Sequence, residues 1–118
     1  MPIQRLKTDA RMSAAVIHNG TVMLSGEIAN DLTGGVFRQT QETLSNIDQL
    51  LEVAGTTKDH LLSATIYLKN IQSDFNAMNE AWEQWIPEGR APARATVEAQ
   101  MFSPDVLVEI SIVAALPS

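Results

Sequence analysis

Residues 91–115, APARATVEAQMFSPDVLVEISIVAA, hold the strongest strand signal in the chain. Two segments within them, at about 93–99 and 106–115, are rich in the β-branched and small apolar residues that favour strands. Each segment nevertheless contains a charge, Arg94 in the first and Glu109 in the second. A central strand seldom carries a charge without a partner, so either these two residues pair with each other or they bind something else.

Upstream of these segments, shorter patterns predict a hairpin and a further strand. Residues 14–18 and 21–24 are apolar and partly β-branched, and Asn19 and Gly20 between them favour the type I′ turn of a two-residue hairpin. Residues 61–68 alternate with a period of two. This alternation predicts one strand face made of Leu62, Ala64, Ile66 and Leu68.

Two stretches have helical periodicity. The first is 36–54, followed by Gly55 at the position just past a helix end, and the second is about 74–85, with Ser73 as its expected N-cap. The apolar stripe of the first is Phe37, Thr40, Leu44, Ile47 and Leu51, and that of the second is Phe75, Met78, Trp82 and Trp85.

The predicted order is a β-hairpin, then α, β, α, β, β, which indicates an α+β fold with both helices packed on one face of a sheet. A chain of 118 residues fits a single domain spanning 1–118. The strands are apolar on both faces; Leu107, Val113 and Ala115 lie opposite Val108, Ile110 and Ile112. Since no third layer is left to cover the second face, we expect other subunits to bury it.

Composition excludes several classes of function. The net charge is −6 and the eight Lys and Arg residues are scattered, so nucleic-acid binding and attachment to an anionic membrane are not expected. There is no cysteine, and His18 and His60 have no spacing typical of metal ligands, so no metal site is expected. The start, MPIQR, lacks the apolar segment of a signal peptide, which favours a cytoplasmic protein.

Several polar residues are candidates for a site, each with a structural alternative. Arg94 suits bidentate carboxylate recognition, or it forms an ion pair or ends a strand in water. Glu109 suits a general base that orders a water, or it pairs across the sheet. Ser25 and Gly26 offer a hydroxyl and a backbone N–H, or form a plain turn, and Asn79 is a ligand contact or a surface amide.

The chain resembles the Rid family, also called RidA or YjgF. The resemblance rests on PARATVE at residues 92–98 and VEI at 108–110, with matching spacing between the arginine and the glutamate. LSGEI at 24–28, the helix at 41–55 with its Ala-Gly ending, and DFNAMN at 74–79 extend it. It covers nearly the whole chain.

The resemblance implies a chorismate-mutase-like fold and a homotrimer with clefts between subunits. Deaminases of this family hydrolyse 2-imino acids such as 2-aminoacrylate and 2-iminobutanoate to 2-oxo acids and ammonia, without a metal or cofactor. The implied sheet order puts strand 61–68 between the strands of Arg94 and Glu109. Two strand spacings would separate these residues by ~10 Å, leaving room for a small ligand and a water in one hollow.

The resemblance also implies roles for the candidate residues. Arg94 would bind the substrate carboxylate, and Glu109 would orient or deprotonate the attacking water. Ser25 and the backbone at Gly26 would line the pocket. Asn79, from the matching helix, would contribute to the neighbouring wall.

Two positions depart from the family pattern, and both are counted with the substrate-binding residues. Met12 stands where deaminases carry a tyrosine that reaches the pocket, and Thr96 stands where many members have a cysteine. Two alternatives to a deaminase are open: a non-catalytic trimeric module that binds a small carboxylate, and an RNA-directed role that the net charge disfavours.

Overall fold

Six strands form one mixed sheet in the computed structural model, which describes residues 2–118. The strands are β1 (Gln4–Leu6), β2 (Ala15–His18), β3 (Thr21–Leu24), β4 (Leu61–Leu68), β5 (Ala93–Glu98) and β6 (Val108–Ala115), and the helices are α1 (Val36–Ala54) and α2 (Ile71–Trp85). The strand order is β1-β2-β3-β6-β4-β5, and only the β4–β5 pair is parallel. This is an α+β, chorismate-mutase-like fold, and β4 lies between β5 and β6 as expected.

The predicted hairpin turn is present. Asn19 has φ 51° and Gly20 has φ 76°, so both turn residues are left-handed as a type I′ turn requires. The turn is also bonded to the end of the adjacent strand β6, because the Leu116 N–H donates to the Gly20 carbonyl at 2.8 Å. The short strand β1, which pairs with β2, was not predicted.

The core lies between the helices and one sheet face. Its residues include Leu44, Ile47, Leu51, Ile66, Met78, Ile110 and Ile112, each at most 1% exposed. The face predicted for β4 is correct from Ala64 onward and wrong at its start. A register irregularity between Leu61 and Ser63 turns Leu61 into the core, at 8% exposed, and leaves Leu62 50% exposed.

Helix α1 has the predicted bounds and ends at Gly55, whose φ of 95° permits its N–H to reach the last carbonyls of the helix. Phe37 is half-buried at the edge of its apolar stripe.

Helix α2 begins at Ile71, three residues before the predicted start, and Ser73 is not its N-cap. The Ser73 hydroxyl donates to the Asn70 carbonyl, whereas the first free N–H, from Ile71, donates to Glu98 Oε1 at 3.0 Å. The capping group thus comes from β5, which local sequence cannot reveal. Phe75, expected in the buried stripe, is 38% exposed.

The second sheet face, here called the bare face, carries neither helix. Met23 and Val97 on this face are each 42% exposed, and Val113 is half-buried. Leu107, expected on the same face, precedes β6 and packs against the core. Within residues 2–118, neither helix has the length and apolar character needed to cross a bilayer.

Candidate functional site

Arg94 and Glu109 belong to opposite faces of the sheet. Arg94 aligns with Ala64, which is buried beneath the helices, whereas Glu109 aligns with Tyr67 on the bare face. Directly paired residues of neighbouring strands share a face, so the two side chains diverge. The expectation that they border one hollow is therefore wrong within a single chain, because strand spacing was considered without the alternation of side chains.

Glu109 lies in a pocket of about 340 Å³ on the bare face, here called the Glu109 pocket. The sheet contributes Glu109, Gly26, Tyr67 and Ser111 to its lining, and the connection after β5 contributes residues 99–102. Phe102 of that connection is 78% exposed. A carboxylate, a phenol and a hydroxyl therefore meet in one small depression beside an exposed aromatic ring.

A β-bulge places Gly26 beside Glu109. Met23 aligns with Val113 and Glu27 aligns with Ile110, so the β3 side carries one residue more than the β6 side. A β-carbon at Gly26 would lie 3.0 Å from Cδ of Glu109 and closer still to Oε2. Glycine is needed there because the Glu109 carboxylate occupies the space of a side chain.

Ser25, the other residue predicted from this bulge, contacts a different glutamate. Its hydroxyl donates to Glu27 Oε2 at 3.0 Å. Burial raises the pKa of the Glu27 carboxyl above its ordinary value, opposed by the Ser25 hydrogen bond and Lys7 and reinforced by Glu109. Glu27 was not among the predicted site residues, although its place next to Gly26 could have suggested it.

Arg94 lies at the edge of the sheet, on the side of α2. Its Cζ is 5.5 Å from the centroid of the Trp82 ring, within the range of a cation–π contact. Burial against α2 lowers the pKa of the guanidinium, and the Glu83 carboxylate partly offsets this. Arg94 makes no salt bridge with any of residues 2–118, so its guanidinium N–H donors are available to a ligand.

Thr96 and Asn79 lie on the same side as Arg94, and we call these three residues the Arg94 edge. Thr96 is two positions along β5 and shares the Arg94 face; its buried Oγ1 has no hydrogen-bond partner in the part of the chain that the structure describes. Asn79 is half-buried on α2, one turn before Glu83.

Met12 belongs neither to the Glu109 pocket nor to the Arg94 edge. It lies in the connection between β1 and β2, 52% exposed, with its N–H bonded to Asp9 Oδ1 at 3.0 Å. It is not part of the lining of the Glu109 pocket.

A larger cavity, of about 580 Å³, lies beside the same connection and is lined by residues that include Lys69, Glu98 and Pro104. Its charged groups already have partners: Lys69 Nζ donates to the Pro104 carbonyl at 2.6 Å, and Glu98 accepts from Ile71. We therefore take the Glu109 pocket as the candidate site. Among residues 2–118, no cluster of three or more His, Cys, Asp or Glu side chains is arranged to hold a metal ion.

Tyr67, Ser111 and residues 99–102 were missed as pocket residues. The alternation along β4 puts Tyr67 on the face opposite to that of Ile66. Its alignment with Glu109, however, depends on a strand register that the sequence does not reveal.

Comparison with known proteins identifies extensive similarity. The family model described as Endoribonuclease L-PSP matches residues 2–116. The RutC family protein YoaB of Escherichia coli K12 is 45% identical over 116 residues, covering 98% of this chain and all of its own. A YjgF family crystal structure from Neisseria meningitidis has a TM-score of 0.96 at 39% identity, covering 100% of this chain and 98% of that one. A conserved Rid family protein from Yersinia pestis has a TM-score of 0.88 at 31% identity, covering 98% and 100%.

Proposed function

The chain belongs to the Endoribonuclease L-PSP family, also known as YjgF or RidA, and from this premise we propose that it is a 2-imino acid deaminase. The reaction is the hydrolysis of reactive 2-imino or enamino acids, of the 2-aminoacrylate and 2-iminobutanoate type, to 2-oxo acids and ammonia. The observation that carries the proposal is the division of the functional residues into two incomplete halves.

Each half lacks what the other supplies. The Glu109 pocket has a carboxylate that can accept a proton from water but no cation in its lining. The Arg94 edge has a cation without a salt-bridge partner among residues 2–118, but its other members, Thr96 and Asn79, have no group that can act as a base. Gly26 lines the first half, with Ser25 next to it in the chain and bonded to Glu27, and Asn79 and Thr96 belong to the second.

The two halves meet if subunits assemble head to tail. We propose a homotrimer in which the Arg94 edge of one subunit closes over the Glu109 pocket of the next. Such a heterologous contact forms a closed ring when its rotation is one third of a turn. It also buries the bare face, with Met23 and Val97, against neighbouring chains.

The chemistry then follows from the two charges. Arg94 binds the substrate carboxylate through two parallel hydrogen bonds and so fixes the imine carbon near Glu109 of the neighbouring chain. Glu109 takes a proton from a water as the water oxygen bonds to that carbon, and the C=N π electrons move to nitrogen. The nitrogen takes this proton from Glu109, and the C–N bond breaks as the hydroxyl proton passes to the Glu109 carboxylate. A 2-oxo acid and ammonia leave, and Glu109 releases its proton to ammonia or solvent before the next cycle.

A protonated imine is already electrophilic. The protein therefore has to hold the carboxylate, order one water and accept one proton, which are tasks of positioning and electrostatics. The scattered basic residues and the net charge of −6 offer little to a phosphate backbone, so we favour a small acid over RNA as the ligand.

The test is an imine hydrolysis assay. An amino acid oxidase generates the imine, and semicarbazide captures whatever imine the protein has not hydrolysed. We expect wild type to suppress semicarbazone formation and both Arg94→Ala and Glu109→Ala to lose that effect. Absence of any effect of wild type with several imines would contradict the enzymatic proposal. If 2-oxo acids then still bind in an Arg94-dependent and Glu109-independent way, the protein is a non-catalytic carboxylate-binding module.

A mixing experiment tests the shared site. Arg94→Ala and Glu109→Ala are unfolded together and refolded as mixed oligomers. A site made by two chains regains both groups in about a quarter of random pairings, so about a quarter of wild-type activity returns. No recovery would mean that both residues act within one chain.

A further inference from the structure

Tyr67, the only tyrosine of the chain, lies directly across from Glu109. The two residues are aligned in the antiparallel β4–β6 pair, and both line the Glu109 pocket. Cβ atoms of such a pair are about 4.5–5.5 Å apart. The longer tyrosine side chain therefore carries its hydroxyl farther from the sheet than the carboxylate reaches.

The Tyr67 hydroxyl has no hydrogen-bond partner among residues 2–118, and the side chain is half-buried. A phenol can both donate and accept, so it can share a water with a nearby carboxylate. Both side chains line the same pocket of about 340 Å³, which is large enough to hold a water. Ser111, next but one to Glu109, adds a second hydroxyl at the pocket wall.

We propose that Tyr67 is a further catalytic residue, which holds the attacking water together with Glu109. This inference rests on the proposed deaminase function. One hydrogen of the water bonds to the Glu109 carboxylate and the other to the Tyr67 oxygen, so the lone pair of the water points at the imine carbon. As the C–O bond forms, Glu109 takes the first proton, while Tyr67 keeps its own proton and loses none.

The experiment compares Tyr67→Phe with Thr65→Val, two changes that each remove a hydroxyl while nearly keeping side-chain shape. Thr65 is on the same strand and face as Tyr67 but does not line the pocket. Because Arg94 binds the carboxylate, we expect Tyr67→Phe to lower kcat about 10-fold, the size of one hydrogen bond, with KM nearly unchanged. Thr65→Val should stay within about 2-fold of wild type.

An unchanged kcat in Tyr67→Phe while Arg94→Ala is inactive would overturn the role of Tyr67 and leave the deaminase proposal standing. A rise in KM without loss of kcat would also overturn it, since the hydroxyl would then bind substrate and not water. If wild type itself hydrolyses no imine, the deaminase proposal fails. Crystal structures of wild type and Tyr67→Phe then decide: a water bridging Tyr67 and Glu109 only in wild type supports the geometry, and its absence refutes it.

Discussion

The Glu109 carboxylate fills the space that a side chain at Gly26 would need. A β-carbon at residue 26 would lie 3.0 Å from Cδ of Glu109 and nearer to its Oε2. The glutamate can approach the backbone of the bulge only because residue 26 has no side chain. The close approach holds the carboxylate at the wall of the pocket. It also makes the proposed base sensitive to one added methyl group.

We expect Gly26→Ala to abolish imine hydrolysis while the protein stays folded. The displaced atoms are the far end of a flexible side chain, so Glu109 can rotate away at small cost to the fold but leaves its position in the pocket. Activity should fall at least about 100-fold, as for loss of a general base. The control is Gly35→Ala, at a glycine with φ −76° and open space around it. Retained activity in Gly26→Ala would show that the position of Glu109 is unimportant.

The raised pKa of the Glu27 carboxyl predicts that the difference in stability between wild type and Glu27→Gln depends on pH. Its pKa is raised chiefly by burial, so the folded state favours the protonated form. The stability this contributes is complete below the ordinary pKa of 4.5 and is lost as pH rises through the higher folded-state pKa. Glu27→Gln keeps an acceptor for Ser25 and removes the charge.

Glu27→Gln should therefore be more stable than wild type at pH 7, by less than about 1 kcal/mol because the carboxyl is only half-buried. The two melting temperatures should converge as pH falls to 4. The exposed Glu80→Gln serves as the control for a general charge effect. A difference in melting temperature that grows as the pH falls would contradict this prediction.

The elements predicted correctly are those that depend on interactions between residues close together in the chain. The Asn19–Gly20 turn and α1 were predicted correctly, because the φ preference and the apolar stripe lie within a few residues. The start of α2 was missed because its capping carboxylate comes from Glu98 on another strand. The two halves of the site could not be separated by sequence, since a shift of one residue in register would exchange the faces of a strand.

Gln39 is a buried clamp that connects two distant segments. It is completely buried, and its Nε2 donates at 3.0–3.3 Å to the carbonyls of Leu32, Gly34 and Asp105. Its Oε1 accepts the N–H of Leu107 at 3.0 Å. The clamp thus joins the loop before α1 to the segment that leads into β6 and Glu109.

Gln39→Met, which has a similar volume, should lower the free energy of unfolding by about 3 kcal/mol, because it leaves buried backbone groups without partners. Urea unfolding followed by circular dichroism measures this. The matched control is Gln41→Met, an exposed position on the same helix, with an expected change within about 0.5 kcal/mol. A loss below about 1 kcal/mol in Gln39→Met would mean that water replaces the lost bonds.

The proposed trimer makes a different prediction for two exposed valines. Val97 is 42% exposed on the bare face, where it aligns with Tyr67, whereas Val53 is 55% exposed on α1. Val97→Asp would place a charge in an interface that excludes water, at a cost of several kcal/mol, so the oligomer should dissociate. Light scattering should report the mass of one chain in place of three, and imine hydrolysis should fall with it because the Arg94 edge and the Glu109 pocket separate. Val53→Asp should change neither, and a Val97→Asp variant with wild-type mass would refute the proposed use of the bare face.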